Sequence, residues 1–455
     1  TGTCGRSAQI EYKLSAAQNT DGGITENRLF GSSVAFVGNT GNIVAVGSGS
    51  VGSVVPVHLY RKPDDSNLWY YLTSLEMPQW ESPDAASPSI LLFGASLDSN
   101  DEGYIAVGAP LLAGDGNSGK VFVYRPNPSR TAWDFSTILS GTNDGNTYAP
   151  SFGRSVSFDG TLIAVGSPDE QDGKGAVYVF ENSDPSFGND WVENIKLLPI
   201  IGVAEGAQFG SSVSLFGDTP AALAVGAPQD SGGGSAFVFM RSDFEWAGQK
   251  LTPRDIQEGD AFGSQVVISG CTVAVTAPYD VTNGEIGTTS TGTVRIFDWN
   301  PDSDYWAHSQ IVEPTDDKSG EVFSQCIAME GKTLLVGSPW GGEGDEQPGV
   351  VYHFERIGGL WSKVSVVSNI DFTLQQSEDS FGCPLSLLGD LFIVGQRLDS
   401  TLGTLSGSAF IYDLCPADSE SSVFGQVDSQ SIFDIPTSRP KPSSQPSSQP
   451  SENPS

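Results

Sequence analysis

A short sentence of sequence returns seven times along this chain of 455 residues. It opens on an aromatic residue followed by small ones, at Phe30, Phe93, Phe152, Phe209, Phe262, Phe323 and Phe381, with intervals of 63, 59, 57, 53, 61 and 58 residues. The first half of each copy closes on a Val-Gly-small-Pro run or a variant of it: "VGAP" at 107 and 225, "VGSP" at 165 and 336, "VGSG" at 46, "VTAP" at 275 and "VGQR" at 394. So steady a period means that one supersecondary unit is repeated, each copy burying its apolar face against its neighbours.

Within a copy the apolar residues alternate over short runs bounded by Gly, Pro, Asp and Asn, the pattern of strands joined by turns. In the third copy "SVSF" and "LIAVG" are separated by "DG", a tight-hairpin signal, and "GAVYVF" follows after a polar loop. A fourth strand comes from a Trp-led run such as "AWDFSTILS" (132–140) or "DWVENIKLLP" (190–199), and six of the nine Trp residues fall at this one position, where they pack neighbouring sheets together. Four antiparallel strands repeated seven times, with no convincing helix, predict an all-β chain folded as a β-propeller of seven four-stranded blades. On this reading Phe and Val fill the seam between blades, the glycines let strands meet near the axis, and the Pro ends a strand where a variable loop begins.

Only six Trp-led strands are present, one short of the blades. The seventh copy ends on "GSAFIYDL" (407–414), and the N-terminal "AQIEYKLSA" (8–16) has the alternation of an outer strand. The N-terminal strand is therefore expected to complete the last blade and close the ring, so that residues 1–415 form one domain. Cys4 and Cys415 flank the two strands that this closure pairs, and a disulfide between them would replace the missing hairpin turn. Cys326 and Cys383 fall near the start of the innermost strands of adjacent blades and form a possible second bridge. Cys271 is left as a small buried hydrophobe.

With 55 acidic and 22 basic residues the net charge is −33, which disfavours nucleic acid and anionic membranes as partners. No run of 18 apolar residues occurs, so no transmembrane helix and no direct membrane insertion are expected. The opening "TGTCGRS" lacks a charged n-region and an apolar h-region, as in a mature chain whose signal peptide has been removed, and a disulfide clasp needs an oxidising compartment. The expected location is extracellular, secreted or at the cell surface. Asn127 and Asn453 are each followed by Pro, so N-linked sugar is not expected. Residues 416–455 form a second region, ending in "KPSSQPSSQPSENPS", too poor in apolar residues to build a core and expected to be extended. Its Ser443, Ser444, Ser447 and Ser448 are candidates for O-glycosylation.

The "FGxSVxxxG...xxxVGAP...GxVYVF" sentence, carried in copy three by Phe152, Gly153, Val165, Gly166, Pro168 and Val177, resembles the FG-GAP repeat of the integrin α-subunit propeller over roughly residues 8–414. The tail is similar to Ser/Pro/Gln tandem repeats in large secreted surface proteins of diatoms and other stramenopile algae. The first resemblance implies an extracellular recognition or assembly module, with Ca²⁺ held in loops between strands one and two and ligands on the opposite face. Most copies here depart from the Ca²⁺ pattern, copy three having only "FDGT" at that place. Copy two comes nearest, with Asp98, Asn100 and Glu102 at alternate positions before Gly103, but Ala106 stands where the last acid belongs.

For catalysis the inventory is thin. His58, His308 and His353 lie inside strand patterns, and none neighbours a nucleophile motif. The expected function is a non-catalytic recognition or structural module, binding protein or polysaccharide at the cell surface or self-assembling into a fibre. Exposed aromatics outside the wall pattern, Trp80, Tyr279 and Trp340, are the candidate contacts. The alternative is a Ca²⁺-dependent hydrolase working through the acidic loops "PDEQDGKG", "PRDIQEGD" and "GGEGDEQPG" of the propeller face.

Overall fold

The computed structural model describes residues 9–15, 29–49, 55–66, 68–78, 92–111, 119–141, 150–182, 190–200, 202–217, 220–243, 245–253, 255–281, 292–314, 322–340, 349–368, 380–399 and 406–414. These residues form seven four-stranded antiparallel sheets. The only helix among them is the single turn Glu170–Gly173. Six blades run in chain order from the innermost strand outward, as in blade three: Ser155–Asp159, Leu162–Ser167, Ala176–Asn182 and Trp191–Leu197. In blade seven the outer strand is Gln9–Leu14, paired with Ser408–Asp413 in the register Gln9↔Asp413 to Leu14↔Ala409, so the ring closes through the N-terminal segment. Cys4 and Cys415 lie outside the described residues, as does the whole of 416–455.

Burial explains why the strands of one blade read so differently. The second strand, Leu162–Ser167, is buried along its whole length, because a neighbouring blade covers each face of the sheet, and it is correspondingly apolar throughout. The outer strand, Trp191–Leu197, alternates exposed with covered positions. Each outer-strand Trp packs with residues of the preceding blade, Trp133 with blade one, Trp306 with blade four and Trp361 with blade five. The repeated Phe is fully buried, with its ring edge-on to aromatics of its own blade, as Phe152 meets Tyr178 and Phe180.

The two ends of the repeat touch each other across the seam between blades. A Cβ added to Gly166 of the Val-Gly run would overlap the carbonyl oxygen of Gly210, which follows the opening Phe of blade four. The same clash awaits Gly108 against Gly153, Gly226 against Gly263, Gly337 against Gly382 and, closing the ring, Gly395 against Gly31. The opening glycines also have φ near +90° (Gly153 +86°, Gly210 +91°), a region that side chains resist.

Hydroxyls finish the seam. Ser33, Ser96 and Ser155 each donate to the carbonyl of the next blade's opening glycine, Gly94, Gly153 and Gly210. Further along the innermost strands, Ser157 accepts from Leu215 N–H, Ser212 from Val266, Ser214 from Ile268 and Ser386 from Phe36. The expectation that Phe and Val fill the seam therefore holds only away from the axis. Beside the axis the innermost strands of different blades share no continuous ladder, and side-chain oxygens satisfy the backbone groups that would otherwise be orphaned.

At the outer rim two glutamines do the same work. Gln249 accepts from the N–H and donates to the C=O of Trp306 on the next blade, both at 2.8 Å. Gln310 repeats the clamp on Trp361.

Candidate functional site

The innermost strands of all seven blades surround an axial channel of about 870 Å³, within the usual size of ligand cavities. One mouth opens where the connections between blades and those between second and third strands emerge. Leu111, Arg154, Asp169, Trp340 and Arg397 lie there, each from a connection or strand start on that face. Serines hold the Arg154 position in other blades at the same level of the mouth, but their hydroxyl protons are committed: Ser32 donates to Leu29 O at 2.6 Å, and Ser211 and Ser264 donate to Gln208 O and Ala261 O at 2.8 Å. Cys326 and Cys383 also line the channel and are joined as a disulfide with a Cα–Cα distance of 5.4 Å, linking blade six to blade seven.

Beneath the loops of this face lie buried carboxylates, most of them tied to a cation, while Asp260 accepts instead from Gln257 N–H at 2.7 Å. Glu170 meets Lys196 at 2.6 Å, Asp230 meets Lys250 at 2.9 Å, and Asp399 meets Lys13 at 2.9 Å. Each lysine also lies over an aromatic ring of the third strand, Tyr178, Phe237 or Phe410. In blade five the cation changes strand. Arg295 occupies the aromatic's position on the third strand, Ile311 occupies that of the lysine, and the guanidinium binds both Asp280 and Asp255. Burial works against ionisation of Asp230, but the bonds from Lys250 and Ser235 outweigh it and hold its carboxyl below its ordinary value. These acids anchor loops; their charge is spent within the blade.

The copy-two loop is likewise engaged in structure. One oxygen of Asp98 accepts from the N–H of Phe158, at 2.8 Å, and from the Ser157 hydroxyl, both in blade three, and the other accepts from its neighbour Ser99. Asn100 donates to Gly160 O of blade three and to Glu102, and accepts from Tyr104 N–H. Burial, partly offset by the Phe158 and Ser99 N–H groups, pushes the Asp98 carboxyl up to about 6. Among the described residues no group of three His, Cys, Asp or Glu side chains is gathered as a metal would need.

The other expected contacts divide. Trp340 lies at the channel mouth, 38 % exposed, and Tyr279 is 49 % exposed at the equivalent turn of blade five, away from the channel lining. Trp80 and Ser443, Ser444, Ser447 and Ser448 lie outside the described residues. The histidines serve their strands: His58 bonds Ser74 at 2.9 Å, and His308 packs on Phe297. Burial lowers the His308 and His353 pKa values. Among the described residues no histidine lines the channel. Cys271 carries a free, half-buried thiol whose pKa burial raises. The sequence reading passed over Arg154 and Arg397, although both stand at repeat positions where the other copies have no cation.

The FG-GAP repeat family matches at residues 137–180, 191–239 and 247–297, each segment running from one outer strand through the first three strands of the next blade. The chain is similar to integrin alpha-4 of Xenopus laevis, 27 % identical over 139 residues, a stretch covering 28 % of this chain and 12 % of that protein. Among solved structures, Sqt1 of Saccharomyces cerevisiae aligns at 12 % identity with a TM-score of 0.45, over 85 % of this chain and 82 % of its own. The periplasmic gluconolactonase PpgL of Pseudomonas aeruginosa aligns at 13 % identity with a TM-score of 0.49, over 74 % and 85 %. The chain is thus a seven-bladed β-propeller, three of whose repeats match the FG-GAP repeat family.

Proposed function

We propose that this chain is a non-catalytic extracellular recognition module that binds its partner at the loop face around the channel mouth. The observation that carries the reading is the division of labour between polar groups. The buried acids below the loops are tied to a cation or, in Asp260, to a backbone N–H, whereas Trp340, Leu111, Arg154 and Arg397 are exposed around one opening. Such an arrangement binds by shape and contact, and among the described residues no paired acid and base of the kind hydrolysis requires stands at the opening. The partner is a protein or a polysaccharide of the cell surface or of a fibre. Residues 416–455 act as an O-glycosylated connector, and a Cys4–Cys415 bridge clasps the closing blade.

The test is a defined array of extracellular-matrix proteins and of neutral and acidic polysaccharides, probed with the full chain and with Trp340→Ala. Binding that weakens about tenfold in Trp340→Ala with an unchanged melting temperature supports the reading. Turnover of ester, lactone or glycoside substrates by the purified chain, abolished by a substitution in the acidic loops, replaces it with the hydrolase.

A further inference from the structure

We infer that the channel mouth is a binding site for an acidic oligosaccharide, whose carboxylate or sulfate groups are met by Arg154 on one wall and Arg397 on the other. This rests on the recognition reading above and names the ligand class. Arg154 comes from the start of the innermost strand of blade three and Arg397 from the end of the second strand of blade seven. Those blades stand on opposite sides of a seven-membered ring, so the two guanidinium groups approach the mouth from opposite walls.

Both side chains are exposed, unlike those of Arg295, Arg241 and Arg356, whose guanidinium groups are bound to Asp280, Glu181 and Asp298. No carboxylate partners Arg154 or Arg397 among the described residues. Two unneutralised guanidinium groups at one opening are notable in a chain with only 22 basic residues and a net charge of −33. Free guanidinium presents paired donors that fit a carboxylate or sulfate bidentately.

The rest of the opening favours a sugar as the carrier of that anion. The exposed indole of Trp340 is in the blade beside Arg397, and the exposed Leu111 is in the blade beside Arg154. Each offers an apolar surface to the C–H face of a pyranose ring, next to the group that binds its acid. Around the same rim, at the position Arg154 takes in blade three, the Ser32, Ser211 and Ser264 oxygens have given their protons to backbone carbonyls and keep lone pairs, which accept from sugar hydroxyls. An acidic protein surface would meet the field of the whole −33 chain, whereas a narrow saccharide presents its charge locally to the two arginines.

The experiment is calorimetry of the full chain with trigalacturonate, its methyl ester, a sulfated disaccharide and a deca-glutamate peptide, in 150 mM salt (about physiological ionic strength). Arg154→Gln, Arg397→Gln and the double variant are compared with wild type, with melting temperature as the control for folding. We expect an acidic saccharide to bind, its neutral counterpart to bind at least about tenfold more weakly, each single variant to lose about tenfold and the double variant to lose detectable binding. Failure of both acidic saccharides to bind overturns the inference, as does affinity unchanged in the double variant, or a preference for deca-glutamate. If a protein or neutral glycan from the array binds through Trp340 while the double arginine variant is silent, this inference fails and the recognition reading stands. Substrate turnover would remove both.

Discussion

The seams of blades one to four and those of blades five to seven are built from the same repeat but closed by different chemistry. At every seam but that from blade five to blade six a Val-Gly glycine packs under the next blade's opening glycine carbonyl, as Gly166 does under Gly210; in the first group a serine also donates to that carbonyl at three of the seams, where blades five to seven have Gln265, Cys326 and Pro384 in the serine's place. At the seam from blade five to blade six the two glycines have changed together, to Thr276 and Ser324. At the next seam the serine's place is taken by Cys326, bonded to Cys383 beside the opening Gly382. The repeat is thus a set of pairs spanning adjacent blades, and a departure on one side comes with a departure on the other.

Variants at the seams and their anchors separate the two groups, the costliest first. Gly226→Val forces a side chain into the Gly263 carbonyl and should cost about 4 kcal/mol or prevent folding, read by urea unfolding. The contrasting Thr276→Ser, which keeps the hydroxyl that accepts from Gln265 N–H and removes one buried methyl, should cost only about 1 kcal/mol. Arg295→Ala leaves Asp280 buried without its cation and should cost about 3 kcal/mol, more than Lys250→Ala, whose lysine is a third exposed. Replacing Cys326 and Cys383 together by Ser should cost about 2–4 kcal/mol, because it opens a loop spanning a sequence separation of 57, and reducing agent should cost wild type that much more than it costs the variant, which keeps Cys4 and Cys415.

The smallest effect sharpens the comparison at the seam from blade two to blade three, where a carboxylate stands among the hydroxyls. The Asp98 pKa is raised in the folded state, so the native chain holds more protons than the unfolded one between about pH 4 and 6, and this group's contribution to stability grows as pH falls through that window. Asp98→Asn should remove that trend, a difference on the order of 1 kcal/mol between the two chains' pH profiles. Asp230 and Asp255, with lowered pKa values, act oppositely, and their stabilisation is lost only as pH falls below the ordinary carboxylate range. The same variant separates a seam role from a Ca²⁺ role. Chelation should leave the wild-type midpoint unchanged, and a chelator-sensitive midpoint lost in Asp98→Asn would assign the loop to metal.

The blade count, the strand order and the closing N-terminal strand were legible in the sequence because each is written in one copy or in the number of copies. The "DG" of residues 159 and 160 announces a hairpin wherever that hairpin lies. The roles of Ser155, Asp98 and Gln249 were not legible, because each acts on the backbone of the following blade and no single copy contains its partner. Oxygen-bearing side chains at alternate positions, Asp98, Asn100 and Glu102, read as a loop for a cation, yet the Asp98 carboxylate and the Asn100 amide hold blade three. Arg154 was hidden for another reason: it occupies a position held by Ser32, Ala95 and Ser211 in other copies, and only the ring shows that this position faces the axis.

The most direct test of the account is hydrogen–deuterium exchange on the full chain with and without saturating trigalacturonate. The account predicts added protection confined to the loop face, in peptides covering Leu111, Ser151 to Arg154, Trp340 and Arg397. Protection centred instead on the hairpins of the opposite face, around Asp98 to Gly103 and Asp159 to Gly160, would contradict it.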